Sequence, residues 1–256
     1  KNTKLDFGNS GTLARLLIGI ISSTPNLELK LVGDKSLNKR NMENIVNLMT
    51  KFGAFFLPKN KFNFPLKVLS TTMPVGINYK SGVSAQLKSA VILAGLNSYG
   101  LTEIIEKEKS RDHTENMLLH NTHAFKIKKN KTNVIRILGR KFLKPLDINV
   151  PGDPSSAAFY TALTVLNKNS YLKIKNVGLN PTRTGFFKLL KKSGAKITFT
   201  NLKTKYGESI GDIHVRSSNL KPIVASKKYY TNSTDEYPIL FVIAALTKGT
   251  SIFKGI

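Results

Sequence analysis

The chain has 40 Lys and Arg residues but only seven are arginine, and four of those recur at comparable places. Arg15 lies just inside the text of one apolar helix, and Arg40, Arg111 and Arg183 stand in turns ahead of amphipathic helices. A guanidinium presents a planar, two-pronged set of donors that matches phosphate or carboxylate, which a lysine ammonium cannot copy. Four other segments supply a second kind of anion-binding element. Gly8-Asn9-Ser10-Gly11-Thr12, Ser81-Gly82-Val83-Ser84-Ala85-Gln86, Pro151-Gly152-Asp153-Pro154-Ser155-Ser156 and Asn232-Ser233-Thr234-Asp235-Glu236 are small or turn-forming, and each runs into an apolar stretch. Ser, Thr, Asn and Asp cap helix starts, and a helix start offers free N–H groups and about half a positive charge. Together these features suit a doubly anionic small molecule held without a metal.

Groups able to move a proton are few. Asp235 and Glu236 open a buried-type helix, where burial raises a carboxyl pKa and the helix start and nearby cations lower it; either balance produces a general base. The structural alternative for Asp235 is an N-cap. Arg111 pairs with Asp112 or Glu115 if its role is structural, a local pairing is the corresponding reading for Arg183, and Arg15 is expected in a buried ion pair. His113 is either a proton shuttle or a partner in a local turn hydrogen bond. Gly33-Asp34-Lys35-Ser36 is too short for a phosphate-binding loop of the Gly-x4-Gly-Lys-Ser/Thr kind.

The elements that must position these residues repeat. The four small-residue segments begin about 70 to 80 residues apart and lead into apolar helices at Leu13–Ile21, Leu87–Leu96, Ala157–Leu166 and Tyr237–Leu246. Strand-like text follows each, at Leu27–Val32, Glu103–Ile105, Tyr171–Val177 and Ser251–Phe253. After the first three come an arginine-bearing turn and an amphipathic helix, at Met42–Phe52, Thr114–Leu119 and onward, and Gly185–Lys192, two of which end in Gly-Ala at Gly53 and Gly194. A recurrence at this period predicts one supersecondary unit used about three and a half times. The pattern is βαβαββ. The first helix of each unit is apolar nearly all round and should be buried, and the second should face outward. A domain boundary is expected at Asn149-Val150-Pro151.

Composition removes several alternatives. With no Cys there is neither a disulfide framework nor a thiolate site, and four scattered His residues give no metal-ligand spacing. No apolar run approaches the ~20 residues of a membrane span. The net charge of +25 invites a nucleic-acid reading, but the charge is spread. Residues 1–150 hold 24 basic and 10 acidic residues and residues 151–256 hold 16 and 5, with no basic tail. Scattered lysine on solvated faces is the simpler account. The chain opens at Lys1 directly in apolar, glycine-rich text and closes within a strand-like run, so it is expected to be an internal piece of a longer protein.

Seven motifs occur in order: Asp6-Phe7-Gly8-Asn9-Ser10-Gly11-Thr12; Gly33-Asp34-Lys35-Ser36-Leu37 with Arg40; Ser84-Ala85-Gln86-Leu87-Lys88-Ser89-Ala90; Ser110-Arg111-Asp112-His113-Thr114-Glu115; Pro151-Gly152-Asp153-Pro154-Ser155-Ser156-Ala157-Ala158; Asn180-Pro181-Thr182-Arg183-Thr184-Gly185; and Asp235-Glu236-Tyr237-Pro238. In this series the chain closely resembles the 5-enolpyruvylshikimate-3-phosphate synthase (3-phosphoshikimate 1-carboxyvinyltransferase) family over essentially its whole length. The resemblance implies an α/β fold of repeated βαβαββ units in two inside-out domains that close on substrate, here incomplete at both ends. Residues 1–149 would be a first domain lacking its first unit, and residues 150–256 about one and a half units of the second. The implied reaction, in the shikimate pathway to chorismate and the aromatic amino acids, transfers the enolpyruvyl group of phosphoenolpyruvate to the 5-hydroxyl of shikimate 3-phosphate and releases phosphate. It needs no metal or other cofactor. A cytoplasmic monomer acting on these two small molecules is expected, with no nucleic-acid or membrane partner.

The same resemblance assigns roles. Ser84, Ala85 and Gln86 match the loop that holds shikimate 3-phosphate, and Ser110 and Arg111 match contacts on its phosphate side. Gly11 and Arg40 match phosphoenolpyruvate contacts, Gln86 reaches both substrates, and Asn9 and Thr12 shape the pocket. Asp235 matches the carboxylate that handles the 5-hydroxyl proton. The glycine at position 11 implies sensitivity to glyphosate. The chain departs from the family in having Asn41 where Pro usually follows the arginine, and in ending its second outer helix with Asn121-Thr122-His123-Ala124. It also lacks the family's amino-terminal Lys-Ser…Arg motif and the Lys-Glu-Ser-Asp-Arg segment with its acid/base glutamate, so the 256 residues alone are expected to be inactive.

Overall fold

The structure, a computed structural model, describes residues 3–129 and 132–256. The first repeat is β1 (Thr3–Asp6), α1 (Gly11–Ser23), β2 (Glu28–Val32), α2 (Glu43–Lys51), β3 (Phe55–Leu57) and β4 (Leu66–Leu69). Its sheet has the order β1-β2-β4-β3, with β1 and β2 parallel and the other pairs antiparallel. The second repeat is β5 (Asn78–Ser81), α3 (Ala85–Asn97), β6 (Leu101–Glu106), α4 (His113–Leu118), β7 (Phe125–Lys129) and β8 (Asn133–Leu138), in the matching order β5-β6-β8-β7 with the same pairing senses. The third has α5 (Pro154–Leu166), β9 (Tyr171–Gly178), α6 (Gly185–Lys192), β10 (Lys196–Lys205) and β11 (Glu208–Arg216), in the order β9-β11-β10. A single parallel bridge from Gly152 to Val177 stands where the first strand would pair. The fourth opens with β12 (Val224–Ala225), α7 (Tyr230–Ser233), α8 (Tyr237–Ala245) and β13 (Ile252–Phe253), with β12 and β13 parallel. The βαβαββ unit and its three-and-a-half-fold use are therefore present.

The chain divides into two compact units: Lys1–Lys109 with Leu118–Pro145, and Ser110–Met117 with Leu146–Ile256. In the first unit the core is built on α1 and α3. The oxygen of Ser10 accepts the Leu13 N–H and that of Ser84 accepts the Leu87 N–H, so both helices start where their cap residues dictate. The helices then approach closely, because a Cβ on Gly19 would lie 2.5 Å from the Ala90 carbonyl oxygen. Only a glycine permits that contact. Asn97 Nδ2 closes the far end of the pair by donating to the Ser23 carbonyl at 2.6 Å. Lys88, one of two polar side chains on the buried face of α3, is matched across to β6 by Glu106 at 2.7 Å, with both groups buried. The amphipathic α2 buries Ile45, Val46, Leu48 and Met49 and keeps Glu43 and Lys51 outside. It ends at Gly53, whose φ of +102° a side chain would resist.

In the second unit α5 starts at Asp153, whose carboxylate accepts the Ser156 N–H at 2.8 Å, and Pro154 occupies the first turn. The amphipathic α6 buries Phe186, Phe187, Leu189 and Leu190. Its last turn carries Lys191 and Lys192, where positive charge suits the helix dipole. Three side chains converge on Glu208 at the start of β11: His113 Nδ1 at 2.9 Å, Asn116 Nδ2 at 3.0 Å and Asn180 Nδ2 at 3.1 Å. Burial pushes the Glu208 carboxyl up, but these hydrogen bonds outweigh it and hold its pKa below the ordinary value of 4.5. This network fastens the first turn of α4.

One expectation fails in part. α3 has no exposed residue, as expected of an inner helix, but α1, α5 and α8 leave apolar side chains in solvent: Leu13 and Ile20, Phe159, Tyr160 and Leu163, Phe241 and Val242. A helix that is apolar all round needs neighbours on every side. Among the described residues α1 packs on α3, and α5 on α8, so each keeps a face without an inner-helix neighbour.

Two stability measurements check this packing. Gly19→Ala must push α1 off Ala90 and is expected to cost about 1–3 kcal/mol in urea unfolding. Gly82→Ala, with nothing within 4 Å of the new methyl, should stay within about 0.5 kcal/mol. Equal effects would show that the α1–α3 contact is not tight. For Glu208 the folded pKa is depressed, so its contribution is full above pH 4.5 and is lost as pH falls through the folded value. Glu208→Gln should therefore destabilise by about 1 kcal/mol at pH 7, with the gap closing in acid. A gap that is the same at pH 3 and pH 7 would contradict the charge-assisted network.

Candidate active site

In the first unit the residues expected to meet phosphoenolpyruvate lie at the starts of α1 and α3. Gly11 is the first residue of α1, and its missing side chain leaves room for two guanidinium groups. A Cβ there would lie 2.8 Å from Arg40 Nη1 and 3.0 Å from Arg15 Nη1. Arg15 donates to Gln86 Oε1 at 3.0 Å, and Gln86 Nε2 donates to Thr12 Oγ1 at 2.7 Å, which ties the two helix starts together. Arg40 donates to Asn9 Oδ1 at 3.3 Å, and Asn9 Nδ2 donates in turn to Asp34 Oδ2. Asp34 also accepts the Leu37 N–H at 2.7 Å, the main reason its pKa is lowered, and so fixes the turn that carries Arg40. Gly11, Thr12, Asn9, Arg40 and Gln86 thus sit side by side.

Arg15 corrects an expectation. It is not in a buried ion pair; besides Gln86 it donates to the carbonyls of Gly11 at 3.2 Å and Asn41 at 3.4 Å. Burial and, after it, the charge of Arg40 both lower its pKa. Among the described residues neither Arg15 nor Arg40 makes an ion pair; the Asp34 carboxylate feels the charge of Arg40 but is joined to it only through Asn9, so two neighbouring guanidinium groups at the α1 start are only partly balanced. Such a site attracts an anion. Asn41, where the family usually has Pro, keeps a turn function: its Oδ1 accepts the Glu43 N–H at 2.6 Å at the start of α2. Ser84 spends its hydroxyl oxygen on the Leu87 N–H, with Ala85 beginning α3 behind it, so this loop offers backbone donors of a helix start as much as side chains.

In the second unit Arg111 donates to Asp235 Oδ2 at 2.6 Å. This replaces the local pairing with Asp112 or Glu115. Arg183 also reaches beyond its own turn, to Asp153 Oδ1 at 3.0 Å and Ser155 Oγ at 2.6 Å, and it lies 3.9 Å from Asp235 Oδ2. Asp235 is not an N-cap. It lies inside a 3-10 turn, Thr234–Glu236, between α7 and α8, and makes no cap hydrogen bond. The hydroxyls of Ser233 and Thr234, read from sequence as cap residues, instead donate to the carbonyls of Tyr229 and Tyr230 four residues back, which lets helical geometry begin early. Asp235 is half exposed, whereas Glu236 on the same turn is 1% exposed. Ser155 donates to Glu236, and burial raises the Glu236 pKa. Ser110 is buried beside this group in sequence, and His113 is engaged by Glu208 and not by a local turn. The part of Ser155 was not legible in advance; the only sign was its place in a Pro-Gly-Asp-Pro-Ser-Ser helix start.

Comparison with known proteins identifies the family of the chain. The family model for EPSP synthase (3-phosphoshikimate 1-carboxyvinyltransferase) matches residues 1–256. A 3-phosphoshikimate 1-carboxyvinyltransferase of Novosphingobium aromaticivorans is 42% identical over 255 residues, covering 98% of this chain and 58% of the relative. That of Zymomonas mobilis is 41% identical over 254 residues, covering 98% and 56%. The solved structure of EPSP synthase from Acinetobacter baumannii superposes with a TM-score of 0.82 at 37% identity, covering 98% of this chain and 56% of that one. The enolpyruvyl transferase NikO from Streptomyces tendae, 18% identical with a TM-score of 0.60 over 82% of this chain, shares the fold. The chain spans somewhat more than half the length of the curated relatives it matches. It belongs to the EPSP synthase family.

Proposed function

We propose that this chain forms part of an enzyme that transfers the enolpyruvyl group of phosphoenolpyruvate to the 5-hydroxyl of shikimate 3-phosphate, releasing phosphate. The observation that carries the reading is the pairing of two guanidinium groups, Arg15 and Arg40, neither in a direct ion pair, at the α1 start beside Gln86. Phosphoenolpyruvate brings a phosphate and a carboxylate, and Gly11, Arg40 and Gln86 meet it. Ser84, Ala85, Gln86, Ser110 and Arg111 hold shikimate 3-phosphate, with Asn9 and Thr12 setting the pocket wall. Asp235 takes the 5-hydroxyl proton as the oxygen attacks C2 of phosphoenolpyruvate, and C3 takes a proton from a general acid of the extended chain. The tetrahedral intermediate then loses phosphate and a C3 proton. The arginine, serine and helix-start donors of the chain supply part of the contacts that these anionic groups need. Two domains, residues 1–149 and 150–256, would each carry part of this machinery. We place the enzyme in the cytoplasm as a monomer acting on small molecules; among the described residues no helix is long and apolar enough to cross a membrane.

The test is phosphate release from the two substrates by a chain extended to the length of these relatives. Asp235→Ala should lower kcat about 10²- to 10⁴-fold. No activity in the unmutated protein, or full activity in the variant, would sink the reading. Gly11→Ala should push Arg40 aside, raise KM for phosphoenolpyruvate and weaken inhibition by glyphosate, its competitor. If both stay unchanged, Gly11 and Arg40 do not bind phosphoenolpyruvate.

A further inference from the structure

Around Asp235 the second unit holds a chain of contacts that the proposed chemistry does not use. Arg183 Nη2 donates to Ser155 Oγ at 2.6 Å, and Ser155 donates onward to Glu236 Oε1. The same Nη2 donates to Asp153 Oδ1 at 3.0 Å, and Asp153 is fixed as the cap of α5. Its distance to Asp235 Oδ2 is 3.9 Å. At that separation a guanidinium stabilises the anion through its charge but does not occupy a lone pair as a hydrogen bond does. Arg111, at 2.6 Å, does occupy one. When the substrate phosphate draws on Arg111, Arg183 is the cation that stays beside Asp235.

Glu236 controls this arrangement in two ways. It shares the 3-10 turn with Asp235, and its buried side chain anchors that turn while Asp235 faces solvent. Through Ser155 it also fixes the guanidinium that Asp235 faces. One of its oxygens has no hydrogen-bond partner among the described residues, and burial raises its pKa. Glu236 therefore orders a neighbour through a single hydrogen bond, the one from Ser155.

We infer that Glu236 and Ser155 are positioning residues that act on Asp235 through Arg183, setting the base of the reaction at charge-stabilising distance from a cation that leaves its oxygens free. This rests on the reading of Asp235 as the proton acceptor.

The test uses the extended chain and both substrates. Ser155→Ala and Glu236→Ala should each lower kcat about tenfold or more, with little change in either KM, because binding residues are untouched and only the base is misplaced. Glu236→Gln, which still accepts from Ser155, should restore most of the loss. The decisive arm combines each change with Asp235→Ala: in that background Ser155→Ala and Glu236→Ala should lower the residual rate no further. Additive losses, losses confined to KM, or unchanged kcat in a folded Ser155→Ala protein would overturn the inference. Failure of the proposed function is distinguishable, since the unmutated extended chain would then release no phosphate.

Discussion

The contact of Gly19 with the backbone of Ala90 is the constraint on which the first unit depends. Two apolar helices can lie this close only where one of them has no side chain. Once they do, their starts are fixed side by side. Ser10 and Ser84 each cap one start, and Gln86 reaches from α3 to both Thr12 and Arg15 of α1. The gathering of the two arginines follows from this geometry. Arg15 spends its donors on neutral oxygens, Arg40 is steered by Asn9, and the space that Gly11 leaves empty is where both guanidinium groups arrive.

The second unit solves a related problem with different chemistry. The start of α5 and the turn before α8 are tied by Ser155 and Glu236, as the starts of α1 and α3 are tied by Arg15 and Gln86. The first cluster places neither cation in a direct ion pair and so favours an anionic ligand. The second surrounds two arginines with Asp153, Asp235 and Glu236, so its positive charge is largely taken up internally. A repeated scaffold thus gathers two arginines in one place and sets a carboxylate between two arginines in the other.

The repeat itself was legible in the sequence, because cap residues, apolar runs and glycine stops recur in phase. Most helix bounds agree within two or three residues and α6 agrees at both ends, whereas α4 stops at Leu118, short of the end at Asn121–Ala124 expected of it. What the sequence hid were partners far apart along the chain. Arg111 finds Asp235 across 124 residues and His113 finds Glu208 across 95, where local spacing pointed to Asp112 or Glu115 and to a turn. At Asn232–Glu236 the cap-type residues do not cap a helix start. A serine or threonine whose hydroxyl bonds back to a carbonyl four residues earlier extends a helix and does not start one. The burial of α1, α5 and α8 was overestimated because apolarity shows what a helix needs, and not which neighbours are present.

The central claim is that these helix starts and the Asp235 turn serve one reaction on two anionic substrates. A crystal structure of the extended chain with shikimate 3-phosphate and glyphosate bound would test it most directly. The account predicts the inhibitor against Gly11, Arg40 and Gln86, the sugar phosphate against Ser84, Ser110 and Arg111, and the 5-hydroxyl within hydrogen-bond distance of Asp235. Ligands bound elsewhere, or Asp235 still held by Arg111 and out of reach of the hydroxyl, would contradict it.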